Sequence, residues 1–191
     1  MTEILDPRPV AFSRLSMSEL MIPAYANFGG KIHGGILLSL MDKVAYACAA
    51  KHAGRYCVTV SVDGVDFLQP VEVGDLVTCL ASVNYVGRTS MIVGIKVLAE
   101  NFVSGIAKHT NTSFFTMVAK GDDGKPAIVP ELVLESREEL RRFVEAKTRI
   151  ALRNAYRDQL DDHRTNLVID EGHDDLVRGD RCVMRIVDPT G

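Results

Sequence analysis

Between Gly34 and His52, apolar residues recur at three- and four-residue steps: Ile36, Leu37, Leu40, Met41, Val44, Ala45 and Cys48. That is the helical period, so the stretch predicts a helix over Gly34–His52. Leu38, Ala47, Ala49 and Ala50 fill much of the other side, and a helix that is apolar nearly all round is expected to be buried on most faces. Gly54 stands where a left-handed residue would close it. One carboxylate, Asp42, interrupts the apolar run. An unpaired buried charge is costly, so Asp42 is expected to be paired, protonated or facing a cavity.

The period changes to two beyond the helix. Cys57–Phe67 alternates Val58, Val60 and Val62 with Thr59, Ser61 and Asp63. Leu76–Val86, Thr89–Glu100 and Lys108–Ala119 alternate in the same way, and the turns between them carry Gly, Asn, Asp or Pro. Such alternation marks half-buried antiparallel strands. Arg14–Ile22 reads as an earlier strand, ended by Pro23. One strand, a long helix and a run of strands give an α+β fold, an antiparallel sheet curled round the buried helix. Arg137 to Gln159 predicts a second, surface helix with a narrow stripe of Leu140, Phe143, Val144, Ala151 and Ala155, a face for docking on a neighbour. Met1–Pro9 reads as a loose leader, and VMRIV at Val183–Val187 as a possible short strand in a charged tail. The expected organisation is a domain over 1–135, a helix over 136–160 and a weakly ordered tail over 161–191.

Composition narrows the partners. At 191 residues with 47% hydrophobic content, the chain is long enough for one core with an appendage. A net charge of −3 argues against nucleic acid, which requires a basic footprint. No stretch has the roughly 20 apolar residues of a membrane span. Cys48, Cys57, Cys79 and Cys182 are far apart, without a CxxC pair, so they read as reduced thiols packed as small hydrophobes. The start, MTEILDPRPVAF, lacks the pattern of a signal peptide, and the cytoplasm is the expected compartment.

Several residues could carry chemistry. Gly34 and Gly35 allow close approach to the backbone at the start of the long helix, where unpaired amides favour negative charge and can hold an oxyanion. The ordinary meaning of such glycines is a tight turn. Asp42 is suited to act as a general base or nucleophile, though it could be a structural or solvent-facing carboxylate. Asn27 could orient water or donate to a carbonyl, but an Asn in a glycine-rich loop more often supports the turn. His33 adjoins the glycines and could move a proton. Arg88, with the hydroxyls of Thr89 and Ser90, suits a phosphate or the amides of a ligand, or forms an ordinary hairpin turn. No histidines and carboxylates have metal-ligand spacing, so no metal is expected. There is no GxSxG elbow and no Rossmann glycine loop, which removes serine-hydrolase and dinucleotide readings.

Taken in order, these pieces resemble the hotdog-fold acyl-CoA thioesterases, in the branch of bacterial broad-range and brain-type cytosolic acyl-CoA hydrolases. The resemblance runs from about Met21 to Leu132. It lies in N-x-x-G-x-x-H-G-G-x-x-L-x-x-M-D at Asn27–Asp42, HAG at His52, VTVSVDGVDFLQPVEVGD at Val58, VGRTSM at Val86, AEN at Ala99, TNTSFFTMVA at Thr110 and GKPAIVP at Gly124. EELRRFVEAKTR at Glu138 resembles the family's helical extension. Ile92 stands where the family more often has an acidic residue.

The resemblance implies a hotdog fold and hydrolysis of acyl-CoA to free acid and coenzyme A. Asp42 matches the catalytic carboxylate, which activates water or attacks the thioester. Asn27 matches its partner, supplied by the opposite protomer, and the amides of Gly34 and Gly35 match the carbonyl-polarising group. His33, Thr59, Arg88, Thr89 and Ser90 fall on the substrate side, with Thr59 on a strand lining the site and Arg88–Ser90 where the family binds coenzyme A. Two hotdogs pair edge to edge, and three such dimers commonly form a hexamer. No cofactor beyond the substrate's own coenzyme A is implied. Phe28, Tyr46 and Phe67 are the side chains placed to close an acyl tunnel. The alternatives are a hotdog hydratase–dehydratase, which would want a catalytic His beside the carboxylate, and a non-catalytic acyl-CoA sensor.

Overall fold

The computed structural model describes residues 5–167 together with 181. In chain order they form β1 (Arg8–Pro9), α1 (Val10–Ser13), β2 (Leu15–Leu20), α2 (Gly34–Ala53), β3 (Cys57–Asp63), β4 (Leu76–Val86), β5 (Ser90–Asn101), β6 (Ile106–Ala119), β7 (Leu132–Val133) and α3 (Arg137–Asn166). The α+β expectation holds. Five antiparallel strands in the order β2-β4-β5-β6-β3 form one sheet, and α2 lies in its concave face. The chain divides at Arg149/Ile150 into two compact units, and the sheet and α2 belong to the first.

The helical period is explained by what α2 buries. Leu37, Leu40, Met41, Val44, Ala45, Cys48 and Ala49 face the sheet, where Val77, Cys79, Val83, Val93, Val97, Phe115 and Met117 close over them. Truncating a side chain as large as Phe115 here would cost about 3–5 kcal/mol. The helix ends at Gly54, whose φ of 67° and amide bond to the Ala50 carbonyl (2.8 Å) form the expected left-handed closure.

Four expectations need correction. First, α2 is not buried on all sides. Leu38, Ser39, Asp42, Lys43 and Tyr46 form an exposed strip in the single chain, because β3 ends the sheet on that side. Second, the alternation in β3 does not set its burial. A bulge between Thr59 and Ser61 breaks the pairing with β6, and Val60 and Val62 are exposed on an edge strand. Third, the leader is tied down at its end. Arg8 and Pro9 pair in parallel with Leu132 and Val133, and Val10 and Ser13 are buried. Fourth, α3 buries a different stripe. Within the first unit, Glu139 and Ala146 are buried, Phe143 packs on Tyr85 (5.0 Å between rings), and the Arg149 guanidinium lies 3.9 Å from the Phe114 ring, while Leu140 and Val144 are exposed. Glu139 is held by polar bonds that periodicity ignores. Glu139 accepts from Arg14 (3.2 Å) and from the Glu135 amide (2.7 Å). In the second unit, Ala151 and Ala155 are exposed, and α3 continues past Gln159 to Asn166. The VMRIV strand and Cys182 lie outside the described residues.

Candidate active site

The mid-helix carboxylate has found a partner on the neighbouring strand. The Thr59 hydroxyl donates to Asp42 Oδ1 at 2.6 Å and lies 3.4 Å from Met117 Sδ. Two local features produce this contact. The helical period puts Asp42 on the α2 strip toward β3. The sheet register sets Thr59 opposite Met117. The bulge that follows leaves Val60 outside the ladder, which resumes at Ser61 opposite Thr116. Of the outcomes open to Asp42, pairing is the one observed, with a hydroxyl rather than a cation. One carboxylate oxygen is held by the hydroxyl.

The loop feeding α2 is built by its own backbone and side chains. Asn27 Oδ1 accepts from the Gly29 amide (2.9 Å) and the Lys31 amide (3.2 Å), and Gly30 takes φ 76°. Within one chain, then, Asn27 is a turn former. His33 is the N-cap of α2: its Nδ1 accepts from the Gly35 amide at 2.9 Å, and its carbonyl accepts from the Ile36 amide at 2.9 Å. The expected pair of free glycine amides is therefore corrected, because His33 occupies Gly35's. Gly34 has a different reason to be glycine. A Cβ there would stand 3.2 Å from the Phe67 ring. Phe67 closes one side of a cleft of about 410 Å³ lined also by Asn27, Ile32, Leu37, Gln69 and Val71. Phe28 is fully exposed, and Tyr46 packs instead on Tyr56, 5.9 Å between ring centres.

Gly87, Arg88 and Thr89 form the tight connection between β4 and β5, with Ser90 opening β5, and it is braced from outside the hairpin. The Arg88 carbonyl accepts from the Val129 amide (3.1 Å) and the Thr89 carbonyl from the Ala119 amide (3.0 Å). Ser90 pairs with Val118, which pairs with Val58, so the turn lies two strands from β3. The structure thus joins Asp42 to Thr59, and His33 to Gly35, and leaves Arg88–Ser90 apart from both within one chain. A larger cavity of about 1230 Å³ occupies the opposite face of the sheet, under the start of α3, and touches none of these residues.

Sequence reasoning missed Met117 as a neighbour of Thr59, and it named Phe67 for the tunnel without placing it against Gly34. Both contacts follow from register and loop course, and the alternation of β6 could have suggested only that Met117 faces inward. Among the described residues, no group of three or more His, Cys, Asp or Glu side chains could hold a metal ion. Burial pushes the thiols of Cys48 and Cys79 up to about 12 and that of Cys57 up to about 11, so all three pack as neutral groups.

Comparison with known proteins agrees with this architecture. A model of the thioesterase superfamily matches residues 29–104. Protein VdlD of Helicobacter pylori is 48% identical over 141 residues, covering 74% of this chain and 80% of VdlD. YkhA of Bacillus subtilis, an uncharacterized acyl-CoA thioester hydrolase, is 38% identical over 128 residues, 67% of this chain and 74% of its own length. The cytosolic acyl coenzyme A thioester hydrolase of Rattus norvegicus is 35% identical over 76% of this chain, which spans 39% of that longer protein. Among solved structures, an apo-hexameric acyl-CoA thioesterase superposes with a TM-score of 0.77 at 37% identity, over 80% of this chain and 97% of the other. The acyl-CoA hydrolase of Staphylococcus aureus, solved with butyryl coenzyme A, coenzyme A and coenzyme A disulfide, superposes with a TM-score of 0.75 at 30% identity, over 83% and 96%. Solved variants of that hydrolase replace an aspartate, a threonine and an asparagine by alanine. With its five-stranded sheet, its central helix and these relatives, the chain belongs to the thioesterase superfamily, among the acyl-CoA thioester hydrolases.

Proposed function

We propose that the chain hydrolyses acyl-CoA thioesters to the free acid and coenzyme A, with Asp42 as the catalytic carboxylate. The Thr59–Asp42 hydrogen bond carries the reading. It fixes one oxygen of a carboxylate that is exposed in the single chain and leaves the other to take a proton from water, or to attack the thioester carbon itself. The tetrahedral oxyanion needs donors, and the amides at the start of α2 supply them. Gly34's N–H is the first of these. Collapse of the intermediate breaks the C–S bond and releases the coenzyme A thiolate, which takes up a proton. Side chains and backbone amides suffice for this sequence, with no added cofactor. The aspartate, threonine and asparagine changed in the staphylococcal hydrolase are the residue types at Asp42, Thr59 and Asn27.

One chain is not enough for this chemistry. Gly34 and Asp42 are eight residues apart on one helix, about 12 Å along its axis at the helical rise. A reacting carbon must stand within about 3 Å of both the nucleophile and the oxyanion donors. The two groups therefore come from different protomers. A second copy fits the edge of the sheet, where β3 has no further strand beside it among the described residues and Leu38, Tyr46, Tyr56, Val60 and Val62 are exposed. Pairing there makes a continuous sheet and brings Asn27 and Gly34 of each chain toward Asp42 of the other. The hexameric relatives support three such dimers as the final assembly.

The hydratase–dehydratase alternative wants a histidine beside the carboxylate. His33 is engaged at the helix cap, nine residues before Asp42. No helix among the described residues is long and apolar enough to cross a membrane, and relatives are named as cytosolic enzymes, so the cytoplasm is the proposed compartment. The test is thiol release from a panel of short to long acyl-CoAs. Turnover that collapses in Asp42→Asn supports the reading. Binding of acyl-CoA with no turnover on any chain length replaces it with a sensor.

A further inference from the structure

The C-terminal end of α2 carries a buried histidine that the proposed chemistry does not use. His52 is 0% exposed. Its Nε2 lies 3.1 Å from the Pro130 carbonyl. A carbonyl only accepts, so Nε2 carries the proton and Nδ1 holds a lone pair. Nδ1 is buried and has no partner among the described residues. A leucine would fill this space without an orphaned nitrogen, so the bond to Pro130 is what the histidine contributes.

That bond leads to the Arg88 turn. Pro130 follows Val129, whose amide donates to the Arg88 carbonyl at 3.1 Å, and both residues are buried. Two residues earlier, the Ala127 amide donates to the Ala119 carbonyl (2.9 Å), and the Ala119 amide donates to the Thr89 carbonyl (3.0 Å). The segment 127–130 is thus laid between the end of α2 and the turn, touching each. Its far side is closed by the N-terminal arm. The Arg8 amide donates to the Glu131 carbonyl (2.8 Å), and its guanidinium donates to the carbonyls of His52 (2.6 Å) and Lys51 (3.2 Å). A cation on the last carbonyls of α2 also suits the negative end of the helix.

We infer that His52 is a positioning residue for coenzyme recognition: through Pro130 and Val129 it fixes the Arg88–Ser90 turn against the helix that carries Asp42. This rests on the reading above, in which that turn faces coenzyme A. The role is specific to the nucleotide end of the substrate. A loosened turn weakens the hold on coenzyme A and leaves Asp42, Thr59 and the α2 amides in place.

The test compares an acyl-CoA with the matching acyl-N-acetylcysteamine, which keeps the thioester and lacks the nucleotide. In His52→Leu, KM for the acyl-CoA rises about tenfold with kcat within about twofold, and kcat/KM for the truncated ester is unchanged. His52→Gln, which can donate to Pro130 again, recovers most of the lost affinity. Equal losses on both esters would make His52 merely structural and overturn the inference, as would no loss on either. Should His52→Leu fail to fold, Val129→Pro decides. It removes the amide donor to Arg88, keeps His52, and is expected to show the same KM rise on the coenzyme A ester alone. A wild-type enzyme that handles both esters equally well sinks the assignment of the turn itself, before any variant is made.

Discussion

Thr59 and Asp42 come from different elements, a bulged edge strand and the central helix, and meet through one hydrogen bond of 2.6 Å. The hydroxyl has no charge, so it orients the carboxylate without neutralising it. Replacing Asp42 by Asn removes the base or nucleophile and is expected to lower kcat by about 10²–10⁴. Thr59→Val keeps the shape and deletes the hydroxyl, and is expected to lower kcat by about tenfold with the fold intact, while Thr59→Ser retains most activity. Steady-state kinetics on one acyl-CoA, with a melting curve for each variant, check both. A Thr59→Val enzyme as active as wild type would remove the hydrogen bond from the mechanism.

The same carboxylate can act in two ways, and oxygen isotopes separate them. A single turnover in H₂¹⁸O with enzyme in excess places the label in the fatty acid if Asp42 activates water. If Asp42 attacks the thioester carbon, a mixed anhydride forms; water that cleaves it at the Asp42 carbonyl leaves ¹⁸O in that side chain in the first turnover, so a labelled peptide establishes the nucleophile, whereas cleavage at the acyl carbonyl labels the fatty acid. Mass spectrometry of the peptide containing Asp42 reads the outcome. The exposed second oxygen of Asp42 favours water, and an unlabelled peptide is expected.

The eight-residue spacing of Gly34 and Asp42 has a test that needs no structure of the assembly. Asp42→Asn and Asn27→Ala are each expected to be inactive as pure proteins. Unfolded together and refolded at equal concentration, they form mixed dimers in about half of cases. A mixed dimer has one site with both defects and one site with neither, so about a quarter of wild-type activity returns. Sites contained within one chain would give no recovery, and the shared-site reading would fail.

Much of this was legible in the residues. The helical period located α2 to within a residue, and alternation found every strand of the main sheet, because both elements bury one face on a common core. The resemblance picked out Asp42 and Thr59, which the register then joined. The errors have a common cause. The expectation that α2 is buried on most faces counted apolar residues without knowing that β3 is an edge of the sheet among the described residues, so Leu38 was counted toward burial on a face that is open in the single chain. The stripe on α3 was drawn from apolar residues alone, whereas in the first unit Glu139, paired with Arg14, is buried with Ala146, and the half-exposed Arg149 lies over Phe114 beside the Phe143 contact. Those contacts join residues far apart in sequence, and local periodicity carries no trace of them. The resemblance set His33 on the substrate side, and within one chain its side chain caps α2 on the Gly35 amide.

The buried thiols give a prediction about reactivity. Desolvation holds Cys48 and Cys79 up at about 12 and Cys57 at about 11, so almost none of the reactive thiolate is present at neutral pH. In a Cys182→Ser background, the native protein is expected to resist a disulfide-exchange reagent, and three thiols are expected to react once denaturant is added. Fast labelling of any of the three in the native state would contradict their packing in the core.

His52 sets a window in the pH dependence of stability. Burial lowers its pKa below the ordinary value, the Arg8 cation acts in the same direction, and the bond to the Pro130 carbonyl opposes them. In the unfolded chain the imidazole takes up a proton near pH 6.5. The folded protein keeps it neutral to lower pH, so between these points the unfolded state binds more protons, and stability falls as the pH falls. Asp75 acts in a separate, more acidic window. Burial raises its pKa, but the Glu72 amide, Asn101 and Lys108 together outweigh that and hold the carboxyl below its ordinary value, so its contribution is lost only under stronger acid. The two are separated by urea midpoints measured from pH 7.5 down to 5. Wild type is expected to lose stability across this range, and His52→Gln, which cannot titrate, is expected to lose less of it. Equal slopes for the two proteins would mean that His52 takes up its proton equally in the folded and unfolded states, which its burial and its orphaned Nδ1 argue against.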